Sequence, residues 1–163
     1  MNIIITRQGY RCFRLIFLSI ILSVPCYLHS APGHLIREIP AVWLSDIAIA
    51  AYDSHGPVIY YNPLLTEQVG PWITEFIRAH EFFHHHLGHL QREKYQSTPL
   101  NRSWLRREFE TEADCEAAKV VSPYAVVAAV EYFVATQGPT RPDPFHPTGY
   151  ERAATIRDCA GDR

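Results

Sequence analysis

The chain has no hydrophobic run of the length that a membrane helix needs. Its longest, residues 15–24, falls short of the about 20 apolar residues of a comfortable span, which argues against stable insertion. Basic charge is not in excess either, with 15 Lys and Arg against 17 Asp and Glu. That balance does not advertise nucleic-acid binding. No internal repeat recurs and no Gly/Ser-rich linker divides the 163 residues, so one domain is expected. Cysteine is sparse, with four in all, too few for a disulfide-built scaffold.

What the first thirty residues do contain is specific. Arg7, Arg11 and Arg14 precede the apolar run, and Pro25, a polar stretch and the small pair Ser30-Ala31 follow it. This order reads as a secretory signal over residues 1–30, cleaved near Ser30, and predicts a periplasmic or secreted protein. An uncleaved anchor that recruits Phe13 and Tyr27 is the alternative. Pro25 before Cys26 does not suit a lipoprotein signal. Cleavage removes three of the fifteen basic residues and no acid, moving the formal charge from −2 to −5. It also removes Cys12 and Cys26. Cys115 and Cys159 remain, and in an oxidising compartment they should form one disulfide.

Residues 71–90 organise the rest, because they contain His80-Glu81-Phe82-Phe83-His84, the H-E-x-x-H arrangement of zinc hydrolases. On a helix the two histidines lie one turn apart on one face and can share a metal, with Glu81 beside them as general base. Ile73, Phe76, Ile77 and Leu87 share that face, so the imidazoles would project from an apolar stripe where an unpaired polar ring is costly. Five of the nine histidines crowd between His80 and His89, and such a tract also suits a looser metal binder. His85, His86 and His89 point away from the ligand pair on a continuous helix, as structural or exposed groups.

Along the chain, residues 41–52 and 58–61 flank turn chemistry at Asp53-Ser54-His55-Gly56-Pro57 and read as a β-hairpin. Asn62-Pro63 ends the second strand, a short polar loop follows, and Gly70-Pro71 opens the long helix. Residues 91–101 read as a loop. A second helix is expected from a Ser103 cap to Val121, with Arg107, Glu110, Ala113, Asp114, Ala117, Ala118 and Val121 at helical spacing. Ser122-Pro123 caps a third helix to about Gln137, stopped by Gly138-Pro139. Four prolines in residues 139–147 make a stiff connector, and Thr148-Gly149-Tyr150-Glu151 has capping-box spacing for a last helix to about Arg157.

A catalytic zinc takes three protein ligands and keeps a position for water, so the histidine pair requires a partner. Glu110 is the candidate, on the neighbouring helix. Asp114, one turn on, can hold a ligating histidine through its second ring nitrogen.

With these residues the chain resembles the gluzincin metallopeptidases that include the CAAX prenyl proteases, the HtpX-like membrane proteases and periplasmic assembly-quality peptidases. His80-Glu81-Phe82-Phe83-His84 matches the family's zinc helix. Glu110-Thr111-Glu112-Ala113-Asp114 matches its E-x-x-A-D segment, in which the Glu is the third ligand. His146-Pro147 with Glu151-Arg152 looks like its late histidine-proline and arginine. The resemblance implies that His146 or Arg152 steadies the transition state or covers the zinc, and that residues 58–61 form an edge strand beside the cleft. Two departures stand out: the interval between the helical motifs is short for the family, and Phe83 replaces a usual small residue.

The expectation is thus a mainly helical α+β, zincin-like domain over residues 31–163, with a small N-terminal hairpin packed on the active-site helix. It would bind one Zn²⁺ and hydrolyse a peptide or protein in the cell envelope. The rival expectation is a noncatalytic periplasmic protein that holds zinc, copper or nickel on the histidine cluster.

Overall fold

The turn at Ser54 and His55 joins two antiparallel strands, and Asp53 Oδ1 accepts the His55 N–H inside it. The computed structural model describes residues 35–161; the expected signal, with Cys12 and Cys26, lies outside them. The strands are β1 (Arg37–Pro40), β2 (Ala48–Asp53) and β3 (Gly56–Tyr61), in the order β1-β3-β2. β1 runs parallel to β3, so residues 58–61 are interior and not the edge expected from the resemblance. β2 is the edge strand that flanks the helices. A four-residue strand pairing parallel across a long connection leaves no local pattern, which is why β1 escapes a reading by strand propensity.

Six helices follow: α1 (Pro63–Val69), α2 (Pro71–His86), α3 (His89–Gln96), α4 (Arg102–Val120), α5 (Pro123–Thr136) and α6 (Gly149–Ala160). The expected α+β, mainly helical unit is therefore present. Among the described residues no helix is long and apolar enough to cross a membrane.

The differences are local. Residues 63–69 are helical rather than looped, because Asn62 accepts from the N–H groups of Leu64 and Leu65 and Pro63 occupies the first helical position. α2 ends at His86 instead of continuing to Leu90. Gly88 adopts a left-handed conformation (φ 67°), and the chain restarts as α3, where a loop was expected. Good helix formers (Leu90, Gln91, Arg92, Glu93, Lys94) sustain α3 without a broad apolar stripe. α4 starts one residue before Ser103, and the caps at Ser122 and Thr148 form as expected, the second as a full capping box.

One core joins the elements. α2 supplies Phe76, Ile77 and Phe83, α4 Ala113, Ala117 and Ala118, α5 Val130 and Phe133, α6 Ala153 and Ile156, and the sheet Ala48 and Ile59. The alanines of α4 let it pack closely between α2 and α6. Cys115 of α4 and Cys159 of α6 form the expected disulfide, with Cα atoms 5.2 Å apart. α6 also meets the end of α5 so closely that a Cβ on Gly149 would sit 2.0 Å from the Phe133 carbonyl oxygen.

Two stability measurements check this packing. Gly149→Ala should lower the unfolding free energy by roughly 1–3 kcal/mol or more in urea, since the obstacle is backbone and cannot swing away. An unchanged midpoint would mean that α5 and α6 do not meet so tightly. Replacing both Cys115 and Cys159 by serine should cost up to about 4 kcal/mol, the loop-closure value for residues 44 apart. Equal stability of oxidised and reduced protein would remove the bridge from the account.

Candidate metal centre

α2 is held against the sheet by two polar ties. The Ala50 N–H of β2 donates to Glu81 Oε2 at 2.6 Å, and His85 Nε2 lies 3.0 Å from the Val58 carbonyl oxygen of β3. On its other side α2 packs on α4, with Ala113, Ala117 and Ala118 at the contact layer. This sandwich sets His80 and His84 opposite Glu110.

The three side chains converge. His80 Nε2 is 3.1 Å from Glu110 Oε2, His84 Nε2 is 3.3 Å from Glu110 Oε1, and the two Nε2 atoms are 3.0 Å apart. A tetrahedral ion with bonds of about 2.0–2.1 Å separates its ligand atoms by about 3.3 Å. Two imidazole nitrogens and a carboxylate oxygen at that spacing fit such an ion. Among the described residues this is the one cluster of histidine, cysteine and acidic groups with ligand geometry.

Buried charge surrounds it. Asp114 has no solvent exposure; its Oδ1 lies 2.8 Å from His80 Nδ1, and Arg152 grips both its oxygens, Nε to Oδ2 and Nη2 to Oδ1 at 2.7 Å each. Burial opposes a charge on His80, but Asp114 and Glu110 outweigh it and push its pKa up to about 10. Burial would raise Glu110 and Asp114 in turn, yet His80 and His84 hold Glu110 well below the usual carboxylate range, and Arg152 and His80 hold Asp114 down. A metal cation can replace the proton that His80 keeps between two carboxylates. Glu81 moves the other way: burial raises it, against the pull of His80 and His84.

No family model, curated protein or solved structure matches the chain.

The groups line a cleft of about 670 Å³, walled by β2 with its preceding loop, by α1, and by the end of α5. His146 enters it from the proline-rich connector. Asp143 accepts the backbone N–H groups of Phe145 and His146 and lies 2.7 Å from His146 Nδ1, which leaves Nε2 3.8 Å from Glu110 Oε2. Arg152 also lines the cleft, with its guanidinium 3.8 Å from the Phe133 ring centroid and in a bidentate pair with Asp114. Neither Phe82 nor Phe83 lines the cleft: Phe83 joins the core, and Phe82 is exposed and stacks on His86.

The histidine tract is not a loose cluster. His85 is buried against the sheet. His89, expected to face away from the ligand pair, is buried with Nδ1 3.0 Å from Nδ1 of His84 and Nε2 2.9 Å from Glu112 Oε2. A continuous helix would separate positions 84 and 89 by about 140°, and the break at Gly88 removes that separation. Gly88 was the available signal for His89. Burial lowers the His89 pKa to about 4, against the pull of Glu112.

The Asp114–Arg152 pair makes a direct prediction for the metal-free protein. Arg152→Met should cost roughly 3–5 kcal/mol in chemical denaturation, because Asp114 stays buried without its main partner. Adding Asp114→Asn should recover part of that loss. A second substitution that adds fully to the first would show that the two residues are not coupled.

Proposed function

We propose that the chain is an exported zinc metallopeptidase that hydrolyses peptide bonds in a protein or peptide of the cell envelope. The convergence of His80 Nε2, His84 Nε2 and Glu110 beside the buried Glu81 carries the reading. These are the ligand types of a catalytic zinc site. The resemblance to the gluzincin metallopeptidases supports it from the sequence side, and the disulfide and the signal-like residues 1–30 support export.

His80, His84 and Glu110 would hold the ion, and Asp114 would keep the His80 ring in place through Nδ1. Bound there, the metal would polarise the scissile carbonyl and acidify a water. Glu81 takes the proton of the attacking water and returns it to the leaving amine. Its raised pKa brings it closer to working pH, where a general base is effective. The Ala50 N–H on Oε2 fixes the carboxylate and leaves the second oxygen for the proton. His146 Nε2, 3.8 Å from Glu110 Oε2, would donate to the oxyanion when both ring nitrogens carry a proton, because Nδ1 already donates to Asp143.

Substrate would lie along β2. In an antiparallel pair, alternate residues turn their backbone groups away from the partner, and Ala50 does so, because its N–H reaches Glu81. Ala48, two residues back, turns the same way. An extended peptide could pair with this edge and be presented to the metal and Glu81.

The rival, a noncatalytic protein that buffers several ions on the histidine tract, has less support. His85 and His89 are buried and engaged within the fold, and His86 stacks on Phe82. Zinc titration should give one tight ion per chain, and Glu81→Gln should keep that ion while abolishing cleavage of a fluorogenic peptide library. Several weak ions with no tight one would favour the buffer. Full activity of Glu81→Gln would remove the proposed base.

A further inference from the structure

The metal centre is only part of the cleft lining: the end of α5 contributes Tyr132 and Gln137, and the loop before β2 contributes Asp46. Gln137 Oε1 is enclosed by protein and accepts from no donor. An acceptor buried without a donor is costly, and folded proteins keep few of them. The backbone around it is held in place. The Gln137 N–H donates to the Phe133 carbonyl oxygen, and the Tyr150 N–H of α6 donates to the carbonyl oxygen of Gly138. α6 also presses on this corner through Gly149, where a Cβ would come within 2.8 Å of the Gly138 nitrogen. A helical side chain leans toward the N-terminus of its helix, so that of Gln137 covers the turn carrying Phe133, the neighbour of Tyr132.

Asp46 supplies charge to the same wall. Elsewhere in the cleft lining, Arg106 faces Glu93 at 3.6 Å and Arg152 is paired with Asp114. Asp46, exposed in its loop, has no Lys, Arg or His partner among the described residues. It lies within electrostatic reach of Tyr132: burial and the Asp46 charge hold that hydroxyl above its ordinary range, against the pull of Arg152. A carboxylate and an amide oxygen are both acceptors, so a ligand must bring the donors. The unpaired charge favours a cation over a neutral amide or hydroxyl, because charge-assisted hydrogen bonds are the stronger ones. An ammonium carries three donors and a guanidinium five, enough to serve both oxygens.

We propose that Asp46 and Gln137 form a subsite that recognises a cationic group of the substrate, either a Lys or Arg side chain or the N-terminal ammonium of a peptide. Both residues set specificity and take no part in bond cleavage. The proposal rests on the peptidase reading for its purpose, but such a subsite binds a cationic peptide without turnover.

Binding can be measured apart from catalysis, on Glu81→Gln protein with and without zinc, by fluorescence anisotropy of octapeptides labelled at the C-terminus and varied at one position. Peptides with lysine or arginine there should bind about 10-fold more tightly than those with norleucine or glutamate. Citrulline, which keeps N–H donors but loses the charge, should fall between. Acetylating the N-terminus separates the two sources: a lysine preference that survives assigns the subsite to a side chain, and loss of binding by every peptide assigns it to the terminal ammonium. Asp46→Asn should bring the lysine-over-norleucine ratio to within about threefold of unity, and Asp46→Lys should turn the preference toward glutamate. Gln137→Met replaces the unmet acceptor with an apolar chain of similar length. It should weaken lysine peptides about threefold and leave the urea midpoint unchanged or higher. A lower midpoint with an unchanged preference would make Gln137 structural and overturn its place in the subsite. Asp46 lies in an exposed loop, so its variants decide the matter if Gln137→Met does not fold. Equal affinity for lysine and norleucine peptides, no binding by either, or a ratio unaltered by Asp46→Asn would overturn the subsite. A lysine preference in binding without cleavage of any peptide by wild-type protein would sink the peptidase reading and leave the subsite standing, while cleavage without the preference would do the reverse.

Discussion

Asp114 is a carboxylate with no access to water, and its charge is met from two sides by Arg152 of α6 and His80 of α2. An ionised group in that position is tolerable only when both partners are in place, since an isolated buried charge costs far more than a folded domain can spare. The three helices are therefore positioned relative to one another by electrostatics as well as by packing. Phe133 of α5 lies against the Arg152 guanidinium, which adds a fourth helix to the same node. The disulfide from Cys115 reinforces it, because it joins α4 to α6 next to the pair that most needs them together.

From this node the site is assembled outward. His80, with Nδ1 2.8 Å from Asp114 Oδ1, turns Nε2 to the cleft, and Glu110, one turn before Asp114, faces it at 3.1 Å. The small alanines on the same stripe permit this approach: larger side chains there would push α2 and α4 apart and spread the ligand atoms beyond the reach of one ion. The same stripe thus supplies the closeness of the helices and the chemistry between them.

The sheet contributes in a different way. It is small, but β2 fixes Glu81 through a backbone N–H and β3 anchors His85 through a carbonyl, so both strands orient the helix that carries the motif. Interior placement of β3 leaves β2 as the strand next to the cleft. Under the proposed function, the edge that would receive an extended substrate and the base that would act on it are linked by one hydrogen bond.

Much of this was legible in the residues. Helical spacing places His80, Glu81 and His84 on one face, the acid pair Glu110 and Asp114 stands out on a stripe of alanines, and cap residues at Ser122 and Thr148 mark α5 and α6, because these are interactions within four residues of the chain. The pairing of the two remaining cysteines followed from counting. Other features depend on contacts between distant segments. Parallel pairing of β1 with β3 moved the edge from residues 58–61 to β2, and no local pattern encodes it. Burial drew Arg152 onto Asp114 in a bidentate pair, a contact between distant segments that no local spacing encodes. The turn at Gly88 carried His89 out of the helical wheel and onto His84, since a left-handed residue resets the direction of everything after it. Short-range periodicity determined which residues could serve the site; the tertiary structure decided which of them meet, because only folding sets the distances between helices.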